Sequence, residues 1–123
     1  MTVIKQDDLI QSIADALQFI SYYHPTDFIR AMREAWEREE SPAAKAALTQ
    51  VLVNSRMCAI GKRPICQDTG IVNVLICVGM DVQWDADMAL EDMINEGVRR
   101  GYTHPDNVLR GSVLTDPNGA RMN

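Results

Sequence analysis

The chain is short of aromatic residues (6%), has two histidines and three cysteines, and contains no long apolar run. Each shortage removes a class of protein. A bilayer span needs about 20 consecutive, mostly apolar residues, and no stretch approaches that. Asp7 and Asp8 precede the apolar positions of the first amphipathic segment, so the start lacks the basic-then-apolar layout of a signal peptide. The expectation is a cytoplasmic protein with no membrane contact. Cys58, Cys66 and Cys77 are odd in number and form no Cys-x-x-Cys pair, which points to free thiols or cluster ligands rather than disulfides.

Positive charge is also scarce, with twelve Lys and Arg against seventeen Asp and Glu, a net charge of −5. That balance disfavours a nucleic-acid partner, whose binding rests on neutralising phosphates. It also gives an anionic substrate no general attraction, so a carboxylate ligand would need a locally placed cation such as Arg110. What remains is an ordinary globular composition, 46% hydrophobic and 24% charged. The 123 residues suffice for one compact unit with a core.

Three helices are expected first. Ile10, Ile13, Ala14, Leu17 and Ile20 recur at helical spacing, with Asp7 or Asp8 as cap and an end near Tyr23-His24-Pro25. Thr26 is placed to cap a second helix with Ile29, Met32 and Trp36 inward and a solvated charged end at Glu37-Arg38-Glu39-Glu40. Ser41-Pro42 starts a third, because Ser accepts from orphan amides and Pro at the first helical position loses nothing. Its apolar face reads Leu48, Val51, Leu52, Ser55, Cys58 and Ala59, and Gly61 is the expected left-handed closing residue.

Beyond Lys62-Arg63-Pro64 the texture changes. Ile71 to Val78 is apolar on both alternating faces apart from Asn73, the pattern of a buried strand. Asp85 would cap a helix carrying Met88, Leu90, Met93, Ile94 and Gly97, closed by Gly101. Val108 to Leu114 reads as a second strand, and Asp116-Pro117-Asn118-Gly119 as a turn into Ala120-Arg121-Met122-Asn123, the start of a returning strand. The predicted class is therefore helix-rich α+β: three N-terminal helices, then a β-α-β segment of an incomplete sheet, in a single unit.

Chemistry concentrates in Cys66-Gln67-Asp68-Thr69-Gly70, where a soft ligand, an amide, a carboxylate, a hydroxyl and a permissive glycine share a loop before the predicted strand. Such loops hold polar groups that a core cannot, with a rigid element behind them. The same residues also suit an ordinary turn with a small apolar cysteine. Cys58, on an inner helix face, and Cys77, inside the predicted strand, read as packing residues. His24 and His104 each precede a proline, in expected exposed turns, and Met88 and Met93 read as core.

Arg63-Pro64-Ile65-Cys66-Gln67-Asp68-Thr69-Gly70 resembles the signature loop of the class I fumarate hydratases. Tyr102-Thr103-His104-Pro105-Asp106-Asn107 with Leu109-Arg110-Gly111-Ser112-Val113 is similar to the family segment that supplies an active-site arginine. Gly119-Ala120-Arg121-Met122-Asn123 resembles the opening of a strand that continues in the family. The likeness covers most of the chain, is weakest in the first three helices, and is nearer the single-chain form than the tartrate dehydratase α subunit.

The resemblance implies a reversible hydration of fumarate to (S)-malate by a larger hydro-lyase of which this chain is the N-terminal part. It implies a four-iron four-sulfur cluster held by three cysteines, with Cys66 the ligand present here, Gln67 and Arg110 on the substrate carboxylates, and Asp68 as acid or base, or as the group that orients Arg110 or a water. The family pattern further implies a small dicarboxylate substrate, the rest of the polypeptide as partner, a homodimer when complete, and an inactive isolated segment. Thiolates are natural cluster ligands, and an iron with an open position can act as a Lewis acid. Two other readings stay open: a helical interaction module with no chemistry, and a hydro-lyase for tartrate or a methylated dicarboxylate.

Overall fold

The structure, a computed structural model, describes residues 1–65 and 72–105. The helix-rich α+β class holds, with six elements among the described residues: β1 (Thr2–Lys5), α1 (Gln6–Tyr22), α2 (Thr26–Arg38), α3 (Pro42–Gly61), β2 (Val82–Asp85) and α4 (Leu90–Thr103). By their contacts the residues group into two compact units, Met1–Gln18 with Asp68–Asn123, and Phe19–Gln67.

In the first unit β1 pairs with β2 in parallel, Thr2 opposite Val82 through Lys5 opposite Asp85. Each strand leads into a helix, β1 into α1 and β2 into α4. The Gln6 side-chain oxygen accepts from the backbone amides of Asp87 and Met88, both at 3.0 Å, and so ties the start of α1 to the turn before α4. The two helices bury Ile10, Ala14 and Leu17 from one and Met93 from the other, with Ile10 and Met93 almost wholly enclosed. Gly97 and Gly101 let the backbones approach. A Cβ on Gly97 would stand 2.8 Å from the Ile13 Cβ and 2.9 Å from the Ile10 carbonyl oxygen, closer than atoms pack.

In the second unit α2 and α3 are joined through Glu39-Glu40-Ser41. Ser41 caps α3 as expected, its hydroxyl accepting from the Ala44 amide at 3.4 Å with Pro42 in the first turn. Trp36 Nε1 donates to Thr49 Oγ1 at 2.9 Å, and the Lys45 ammonium stands 4.3 Å from the centre of the Trp36 ring. His24 Nδ1 is in hydrogen-bond contact with Ser55 Oγ at 3.0 Å, and the His24 ring stacks on Phe28.

Several expectations shift. Ile71 to Val78 forms no strand among the described residues 72–79, and Leu75 and Cys77 are exposed. A segment apolar on both faces needs layers on both sides, and β1, four residues long, is paired with β2 instead. Asp85 ends β2 rather than capping a helix, and Ala89 takes the cap position of α4. Gly101 lies inside α4, packed on Ala14 and Leu17, and the helix runs on until Pro105 forces the preceding residue out of helical geometry. Pro25, not Thr26, occupies the cap position of α2. Ile20 is exposed, and α2 buries no residue fully. Lys62, with φ 48° and ψ 52°, is the left-handed residue after α3, while Gly61 is still helical. The predicted strand Val108 to Leu114 and the turn at Asp116 lie outside the described residues.

Candidate functional site

Cys66, Gln67, Asp68 and Arg110 all lie outside the described residues. The structure does describe what leads into the Cys66 loop. At the end of α3 the left-handed Lys62 redirects the chain, and the Arg63 amide donates back to the Cys58 carbonyl at 3.1 Å. The Ile65 amide then donates to the Ser21 carbonyl, in the last turn of α1, at 2.8 Å. The Ile65 carbonyl accepts from the Asn54 side-chain amide at 3.1 Å. Both backbone polar groups of the residue before Cys66 are therefore held, one from each of two helices.

Cys58 serves the same stretch. Its buried Sγ lies 3.5 Å from the Pro64 carbonyl oxygen and 3.6 Å from Asn54 Oδ1. Two oxygen acceptors around a sulfur are the surroundings of a thiol that donates, which agrees with the packing role read for Cys58. Cys77 is exposed, against its expected burial. Among the described residues no three His, Cys, Asp or Glu side chains are placed to hold a metal ion. Cys66, outside the described residues, carries the thiol chemistry that iron–sulfur clusters take as a ligand.

The approach to Arg110 is described as far as Pro105. Near the end of α4, an open cleft of about 350 Å³ is lined by Gln11, Ala14, Asp15, Gln18, Arg100, Thr103, His104 and Pro105. Its cation is already engaged. Arg100 Nε donates to Glu96 at 2.8 Å and its guanidinium stands 3.6 Å from Asp7. Hydrogen bonds from Arg99, then Arg100, hold the Glu96 carboxyl far below its ordinary range, at about 2. This is a helix-stabilising cluster at i, i+3 and i, i+4 spacing. Among the described residues no helix is long and apolar enough to cross a membrane.

Sequence reasoning left Asn54 and Ser21 without a role. The available signal was a lone amide inside Val51-Leu52-Val53-Asn54, four residues before Cys58 on the same helix.

The family model described as "Fumarate hydratase (Fumerase)" matches residues 10–123. A curated relative from Methanocaldococcus jannaschii, named "Putative L(+)-tartrate dehydratase subunit alpha", is 27% identical over 88 residues, which is 72% of this chain. The match spans 31% of that relative's length.

Proposed function

The chain belongs to the fumarate hydratase (Fumerase) family, and from that premise we propose that it is the N-terminal part of a hydro-lyase catalytic domain that interconverts fumarate and (S)-malate. The observation that carries the proposal is that one family match runs through both motif segments, the Cys66 loop and the Arg110 segment. Hydration adds one water across a carbon–carbon double bond, hydroxyl to one carbon and proton to its neighbour. The substrate must be gripped at both carboxylates while that proton moves.

In this reading Arg110 takes one carboxylate, since its planar guanidinium can bind it through two parallel hydrogen bonds. Gln67 donates an amide N–H to the other. Asp68 holds or moves the proton at the hydroxyl-bearing side. Cys66 supplies one thiolate to a four-iron four-sulfur cluster whose other ligands come from further residues of the complete protein. When bound, such a cluster supplies Lewis acidity at the oxygen that is added or lost. The complete protein is a cytoplasmic homodimer, and the 123-residue chain alone is inactive.

A second reading rests on the relative's name: an α subunit acting on L(+)-tartrate beside a partner chain. The complete polypeptide, reconstituted anaerobically with iron and sulfide, separates the two when assayed with fumarate, (S)-malate and L(+)-tartrate. Iron and sulfide analysis of Cys66→Ser tests the common core of both. A variant that keeps its cluster removes Cys66 from the ligand set, and turnover by residues 1–123 alone removes the claim that more chain is required.

A further inference from the structure

The described structure stops one peptide bond short of the proposed cluster ligand. The Ile65 carbonyl belongs to the planar unit that joins Ile65 to Cys66, so whatever orients that carbonyl also orients the first bond toward Cys66. Its partner is the Asn54 amide at 3.1 Å. The N–H of the same residue is held by Ser21 at 2.8 Å, so both bonds close one segment, and exchange at that N–H requires the segment to open against both. One residue earlier, the Pro64 carbonyl faces the Cys58 thiol at 3.5 Å.

Asn54 and Cys58 stand four residues apart on α3 and so share a face. The thiol has one proton and can serve Pro64 or Asn54 Oδ1, not both at once. Asn54 is the residue whose two functions match its two neighbours, a donor toward Ile65 and an acceptor toward Cys58. A carboxylate in its place would keep the acceptor and lose the donor, and a hydrocarbon would lose both.

We propose that Asn54 is a positioning residue for Cys66: its amide fixes the peptide plane from which the ligand extends, with Cys58 supporting the preceding carbonyl. The inference rests on the reading of Cys66 as a cluster ligand. Asn54 touches neither cluster nor substrate in it and acts through the backbone.

Amide hydrogen exchange at Ile65, followed by NMR in the 123-residue chain, reads this clamp with no cluster needed. Asn54→Leu and Asn54→Asp should each speed exchange at Ile65, relative to the other amides of α3, by about fivefold, the size expected of one net hydrogen bond. Ser55→Ala, which breaks the His24 contact from the same helix, should leave that ratio unchanged. In the complete reconstituted protein the two Asn54 variants should alter the electron paramagnetic resonance g-values of the reduced cluster and lower its iron content. Asn54→Gln, which retains the donor, should recover both, and Ser55→Ala should disturb neither.

An unchanged Ile65 ratio in Asn54→Leu overturns the inference, and so does an equal response to Ser55→Ala, which would signal general loosening. Unaltered g-values and iron content in Asn54→Leu also overturn it. A wild-type protein that takes up no iron, or a Cys66→Ser variant that keeps its cluster, sinks the reading of Cys66 instead. The exchange ratio then still decides whether Asn54 holds the peptide.

Discussion

The two compact units are held by different physics. Between α1 and α4, Ile10 and Met93 are almost fully enclosed, and two glycines bring the backbones together. Between α2 and α3 no residue of α2 is fully buried, and α3 buries only Ser55 and Cys58. Beside the buried Tyr22 and Cys58, the second unit is tied mainly by directional contacts: Trp36 to Thr49, His24 to Ser55, Asn54 to Ile65. Apolar contact rewards area removed from water and tolerates many geometries, whereas a hydrogen bond specifies a distance and an angle. The unit that relies on the second is the one that presents the segment leading to Cys66.

If that contrast is right, volume changes should damage the first unit far more than the second. The largest effect is expected at Gly97, where Gly97→Val places atoms inside the Ile10 carbonyl and Ile13 side chain and should cost about 3 kcal/mol or more. Thermal unfolding monitored by circular dichroism measures it, and a loss below about 1 kcal/mol would show that α1 and α4 separate easily. Next comes a paired comparison. Ile10→Ala removes a fully buried side chain and should cost about 3 kcal/mol, while Ile29→Ala, on the half-buried face of α2, should cost about 1 kcal/mol or less. Equal losses by urea titration would break the contrast.

Smaller still, Ser41→Ala deprives the Ala44 amide of its cap and should cost about 1 kcal/mol, mostly as fraying at the start of α3 visible by hydrogen exchange. The smallest effect is a pH dependence. In the folded chain the Glu96 carboxyl is held at about 2, against 4.5 ordinarily, first by hydrogen bonds from Arg99 and then from Arg100. The folded state therefore binds this proton less readily than the unfolded state. The stabilisation is present above about pH 4.5 and is lost as the pH falls toward 2. Glu96→Gln should flatten that part of the stability profile, and an unchanged slope would mean that the exposed cluster is screened by solvent.

α1 and α3 were legible because each combines a periodic apolar face with local punctuation. Ser41-Pro42 started α3 where expected, and His24-Pro25 stopped α1. The strand expected at Ile71 to Val78 was misplaced, and β1 and β2 went unread, for a physical reason: a strand is stable only beside another, and neither Thr2–Lys5 nor Val82–Asp85 shows its pairing in its own residues. Val3-Ile4 was a weak β-branched signal for β1. The stronger signal at Ile71 to Val78 advertised burial, and the described residues provide no layer for it. For the site, the chemistry-bearing types in the Cys66 loop could be read directly, but not the hydrogen bonds that hold Pro64 and Ile65.

By itself the amino-acid order determined the helix-rich class, the end of α1, the start of α3 and the motif that places the chain in its family, because these depend on neighbours within a few residues. Tertiary structure alone decided which strand pairs with β1, that Gly97 and Gly101 serve close packing rather than helix ending, and that Ser21 and Asn54 converge on Ile65. Those outcomes join residues from 11 to 87 positions apart, and the free energy of such contacts exists only once the chain has closed the loop between them.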